Sequence, residues 1–179
     1  MFRISEAAAA FAKLNNIDDD ATPALDKLLR NLTQRHYLPP SAREGRADLY
    51  SIETICALRL AERAATFGID RVALDGLLRF LHSAPSLPTR FRRGDGVHVA
   101  LTHIEEAVER ARASEDFVIG LTLDENDHVV PKAWFPSEEL TDDARAILAN
   151  TDRPHAPDAV FSLNAGRMIR AVLAVLNAE

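Results

Sequence analysis

Leu28 to Leu60 reads LLRNLTQRHYLPPSAREGRADLYSIETICALRL, the body of one helix, a basic turn-rich segment and the start of another helix in unbroken succession. Leu25, Leu28, Leu29 and Leu32 follow the i, i+3, i+4, i+7 spacing of a helix that buries one stripe. Lys27, Arg30, Asn31 and Gln34 repeat that spacing two residues later, which is roughly 200° of rotation, so they form the opposite face, with Arg35 beside them. Thr22 and Pro23 suit an N-cap and a first helical residue. Arginine, lysine, asparagine and glutamine match guanine and adenine edges in a major groove, and the same residues also serve as an ordinary solvated face.

The next segment favours the first use. Pro39 and Pro40 stop the helix, Glu44-Gly45 offers a turn flanked by Arg43 and Arg46, and Ser51 is placed to cap a new helix with Glu53 and Thr54 in its first turn. A short arginine-bearing hairpin beside a groove-entering helix can grip phosphate or reach the neighbouring minor groove. Upstream, Ser5 is a candidate cap for a helix through Ala7-Ala8-Ala9-Ala10-Phe11 to Leu14, the supporting partner of the basic helix. Downstream, Ile52 to Phe67 closes on Gly68 as a left-handed cap, and Asp70 opens a helix with Leu74, Leu77, Leu78 and Leu81 at core spacing.

In combination these residues resemble the MerR-like winged helix-turn-helix DNA-binding domains. The matching pieces are Leu29-Arg30, Leu38-Pro39-Pro40, Arg43 through Arg46, Leu49-Tyr50-Ser51, Leu58-Arg59-Leu60 and Phe67-Gly68-Ile69, spread over about Ile4 to Leu81. The resemblance implies that Arg30, Arg43, Arg46 and Tyr50 contact DNA backbone or grooves and that the protein is a homodimer. The chain departs from the family in carrying Asn31-Leu32-Thr33 where a Tyr-Tyr-Glu usually follows the helix arginine. It also has an acidic run, Asp18-Asp19-Asp20, before the helix, which suits a helix dipole and would repel phosphate if it faced DNA.

Charge divides along the chain. Residues 1–96 hold 14 Lys and Arg against 12 Asp and Glu, a balance of +2, while residues 97–179 hold 7 against 15, a balance of −8, so only the first part suits a polyanion. At 179 residues and 47% hydrophobic the chain can bury one sizeable core or two small ones. Cys56 is the single cysteine, which excludes an intramolecular disulfide, and its apolar neighbours predict a buried structural thiol. The Met1 end has no basic region followed by an apolar run, and no stretch approaches a membrane span; a cytoplasmic protein without membrane contact is expected.

The Pro-, Gly- and Arg-rich stretch from Ser83 to Gly96 reads as a linker, with Arg90, Arg92 and Arg93 as solvated basic residues or further phosphate contacts. Beyond it Thr102 caps a helix with Ile104, Ala107, Val108 and Ala111 on one face. Alternation from Phe117 to Leu123 gives a strand, Asp124-Glu125-Asn126-Asp127 a turn, and Val129 to Phe135 a second strand marked as an edge by Pro131. A helix from Ser137 to Asn150, a strand from Ala159 to Leu163 and a last helix from Asn164 to Asn177 complete the unit. His98 and His103 lie five apart and so off one helix face, Asp124, Asp127 and His128 are turn chemistry, and Asn164 to Arg167 reads as a cap or an anion-binding helix start.

The expected fold is therefore mainly α with α+β: a MerR-like winged helix-turn-helix over 1–82, a linker over 83–96, and a small α+β domain with a β-hairpin over 97–179 for dimerisation, an effector or a protein partner. The expected function is sequence-specific transcription regulation on double-stranded DNA as a dimer at an inverted repeat, without catalysis, metal or cofactor. Lys27, Arg30, Asn31, Gln34, Arg35, Arg43, Arg46 and Tyr50 are the expected DNA contacts. The alternatives are a winged-helix adaptor that binds protein, and an excisionase-like architectural DNA-binding protein.

Overall fold

Six α-helices and two small antiparallel sheets make up residues 1–84, 101–124, 126–134 and 158–176, the part of the chain described by a computed structural model. Helix α1 (Ile4–Asn15) packs on α2 (Thr22–Arg35), reached through a 3-10 turn at Asp19–Ala21. A two-stranded hairpin, β1 (Ala42–Glu44) with β2 (Ala47–Leu49), leads into α3 (Ile52–Thr66) and α4 (Arg71–Leu81). Then follow α5 (His103–Arg112), β3 (Val118–Leu123), β4 (Val129–Trp134), β5 (Ala159–Leu163) and α6 (Ala165–Leu176). The mixed α and β character expected from the sequence is present. Most of the linker expected at 83–96, the helix expected at Ser137 to Asn150, and His98 lie outside the described residues.

Local chemistry accounts for most helix ends. The Ser51 hydroxyl accepts the Thr54 N–H at 3.2 Å, the Asp70 carboxylate accepts that of Ala73 at 2.8 Å, and Thr102 with Glu105 forms a reciprocal capping box. At the end of α3, Gly68 takes φ +97° and the N–H groups of Gly68 and Ile69 return to Ala65 and Ala64, a full Schellman closure. Ser51→Ala should therefore cost about 1 kcal/mol, read as a lowered urea midpoint with an unchanged slope.

Two caps differ from expectation. Helix α1 begins at Ile4, not after Ser5, because the N-terminus is strapped to the hairpin: Phe2 and Tyr50 exchange backbone hydrogen bonds at 2.9 and 2.8 Å. This extends the chain up to Arg3, whose N–H is then taken by the Glu6 carboxylate at 2.6 Å. Thr22 is the first residue of α2, not its cap, because the preceding 3-10 turn delivers Ala21 already in helical conformation.

Glu44 and Ala47 pair across a two-residue loop in which Gly45 takes φ +60° and Arg46 does not take positive φ, the type II′ pattern that matches strand twist. In the larger sheet β3 is central, flanked antiparallel by β4 and β5. Among the described residues Pro131 thus sits on an edge strand, where its missing N–H is tolerated. Phe117, Ile119 and Leu121 turn into the core.

One hydrophobic core runs from Ile4 to Leu176. Helix α3 lies at its centre, buried nearly all round from Thr54 to Ala64, with α2, α4, α5 and α6 packed on it. Helix α6 touches α1, α3, α5 and β3, and α4 covers β4. Residues expected to belong to separate domains on either side of 83–96 therefore share a single core. Cys56 is fully buried within it, and burial pushes its thiol pKa far up, in keeping with a structural role.

That core encloses charge. Arg59 and Glu62 on α3, 7% and 3% exposed, pair at 2.9 Å; Arg59 also donates to the Asn15 side chain at 2.7 Å and lies over the Phe11 ring. Arg110 on α5 is buried between Glu106 and Glu115, at 2.8 Å from each. Each network joins elements: the first ties α3 to the end of α1, the second ties α5 to the segment entering β3.

Candidate nucleic-acid interface

The surface that carries the basic residues is built by α2, the hairpin and the strapped N-terminus. Leu25, Leu29 and Leu32 anchor α2 in the core, which leaves Lys27, Arg30, Gln34 and Arg35 exposed and Asn31 partly exposed, as the periodicity requires. The far end of α2 is held by His36, a buried side chain whose Nδ1 lies 3.4 Å from Asp75 on α4. Leu38 N–H closes back on Thr33 at 3.0 Å, which puts Tyr37 at φ +50°.

On the hairpin, Arg43 projects from β1 and Arg46 occupies the loop, both exposed. Tyr50 is placed differently from the expected DNA contact. It is 5% exposed, its main chain is spent on Phe2, and its side chain belongs to the lining of a groove of about 420 Å³ with Gln34, Tyr37, Leu38, Pro40 and Asp48. A second groove, of about 750 Å³, separates α1 from α2 and is lined by Ser5, Ala9, Lys13, Thr22, Asp26 and Arg30.

Electrostatics sort the cations into two sets. Arg30 donates from Nε and Nη2 to the two oxygens of Asp26 at 2.6 and 3.2 Å, and this pairing raises its pKa further above the ordinary value. Arg43 donates from Nε to its cross-strand neighbour Asp48 at 2.8 Å, and Arg3 pairs with Glu44 at 2.9 Å. Lys27, Arg35 and Arg46 have no carboxylate partner among the described residues. Asp18, Asp19 and Asp20 are exposed ahead of α2.

Sequence reading missed two members of this surface. Arg3 arrives only through the Phe2–Tyr50 bridge, for which the sole local signal is the alternation Phe2-Arg3-Ile4. Tyr37 is 90% exposed in a left-handed conformation that a bulky residue rarely takes, and nothing in the run before Leu38-Pro39-Pro40 announces it. The Asp26–Arg30 pair was also missed, although its i, i+4 spacing on a helix is a local signal that could have shown it.

Elsewhere the candidates resolve into local structure. Asp124 accepts the N–H groups of Asn126 and His128, which lowers its pKa and explains the turn, and Asn164 caps α6 by accepting from Arg167. The His103 Nδ1 lies within hydrogen-bond distance of the Phe80 and Ser83 carbonyls, and its ring stacks on Phe80. Among the described residues no group of three or more His, Cys, Asp or Glu is arranged to hold a metal, and no helix is long and apolar enough to cross a membrane. The chain matches no protein-family model, no curated protein and no solved structure.

Proposed function

We propose that residues 1–82 act as a winged helix-turn-helix on double-stranded DNA and that the protein is a sequence-specific transcription regulator, working as a homodimer on an inverted repeat. In this reading α1 supports α2, α2 enters the major groove, and the β1–β2 hairpin is the wing. The observation that supports it is the succession of α2 and the hairpin: α2 turns Lys27, Asn31, Gln34 and Arg35 to solvent, Arg46 is exposed in the hairpin loop that follows, Gln34 and Asp48 line one groove, and Lys27, Arg35 and Arg46 have no carboxylate partner among the described residues. Lys27, Arg35 and Arg46 hold phosphates, whereas Arg30, Asn31 and Gln34 face base edges. Tyr50 supports the hairpin from the groove beneath it.

The test is selection of bound duplexes from a random pool, followed by salt titration of the winners. A two-fold symmetric motif is expected to emerge. Asn31→Ala should relax preference at one base pair of each half-site by about 1–3 kcal/mol, and Arg46→Ala should weaken all sequences alike and reduce the salt slope by about one per copy. Unchanged preference and slope in both variants would exclude this face.

A second reading has its own observation. The exposed Asp18 to Asp20 run and the carboxylates already paired with Arg30, Arg43 and Arg3 suit a protein partner, for which the same scaffold would be an adaptor. Stoichiometric capture of one protein, with no DNA retained at low salt, would select it.

A further inference from the structure

Three carboxylates stand on a surface read as meeting a polyanion, where each would be repelled, and each lies within 2.9 Å of an arginine on that surface. Stability does not explain them, since exposed ion pairs contribute little net free energy. Their geometry is specific for Arg30 and Arg43. Asp26 engages the Nε edge of Arg30 side-on, and Asp48 takes Nε of Arg43, so the donors directed away from the protein carboxylates are Nη1 of Arg30 and both Nη groups of Arg43. Lys27, Arg35 and Arg46 carry no such partner among the described residues.

We propose that Asp26 and Asp48 are built-in counter-ions that set the specificity of the DNA face, holding Arg30 and Arg43 as pre-aimed forks while removing them from sequence-independent phosphate binding. This rests on the DNA reading above and deepens it. An arginine neutralised by its own chain releases no DNA counter-ion when it docks, so attraction to arbitrary duplex is left to Lys27, Arg35 and Arg46. With a slope contribution of about 0.9 per phosphate neutralised, each copy should show a salt slope near three, not five.

The experiment compares wild type, Asp26→Asn and Asp48→Asn on a random-sequence duplex and on the duplex enriched from the pool. Affinity is measured across a salt series, and circular dichroism verifies the fold. Each Asn variant is expected to bind the random duplex several-fold more tightly, to steepen its salt slope by about one per copy, and to lower the ratio of selected to random affinity. Wild-type binding with slopes and ratios unmoved in both variants overturns the counter-ion role and leaves the DNA reading intact. No binding by any of the three proteins at low salt overturns the DNA reading and this inference with it. Binding by the Asn variants alone supports both, with the carboxylates as the dominant brake.

Discussion

Replacing Arg59 with methionine should destabilise the protein by about 3 kcal/mol or more, read as a fall in the urea midpoint. The guanidinium is enclosed, and burial lowers its pKa while the Glu62 carboxylate opposes that shift. Removal leaves the buried Glu62 carboxylate, among the described residues, with a hydrogen bond from Thr66 at 3.4 Å and Arg63 at 3.8 Å. It also strips the Asn15 side chain and the Phe11 ring of their partner. The double variant Arg59→Met/Glu62→Leu should recover most of the loss, because apolar residues of similar volume replace a buried pair at little cost. If the double variant is no better than the single one, the pair's value lies in packing against Phe11 and Asn15 and not in the charge left behind.

Gly120→Ala should be comparably severe. A Cβ there would stand 2.0 Å from the Phe161 carbonyl oxygen and 2.9 Å from the Ser162 Cα, both backbone atoms of β5, so the strand itself must move. About 3 kcal/mol is expected, with loss of amide protection concentrated in β5 and loosening of the Phe67–Phe161 ring contact. Gly76→Ala, in α4 with nothing within 4 Å of the added carbon, should instead stabilise by about 0.5–1 kcal/mol. Equal effects at the two glycines would show that strand approach is not what requires Gly120.

The contrast between these sites and the helix caps explains what was legible in the sequence. Ser51, Asp70, Thr102 and Gly68 act on backbone groups within three or four residues, so their roles can be read from local order alone. Pro131 declares an edge for the same reason. The exposed face of α2 followed from leucine spacing. Tyr37 and Ser114, by contrast, take left-handed φ without being glycine or asparagine, so two helix ends carry no strong local signal. Arg59 stands between two leucines in the sequence as an unremarkable helix arginine, and only the arrival of α1 turns it into a core residue. The placement of α6 against α1 was out of reach for the same reason: periodicity identifies an apolar stripe and not its cover. Within the candidate interface, the burial of Tyr50 was out of reach of local pattern, because the backbone bridge to Phe2 joins residues far apart in the sequence.

The packing of α6 on α1 and α3 also sets an order of events. These surfaces lie at opposite ends of the described chain, and such a contact closes only after everything between them has been made. During synthesis the helices of the first eighty-odd residues therefore wait with an apolar flank uncovered. They complete their fold late, when the final helix arrives to seal them. A nascent chain on the ribosome would hold α1 and α3 incompletely sealed, and the folded chain would unfold as one cooperative body in which damage to the sheet is felt at α1 and α3.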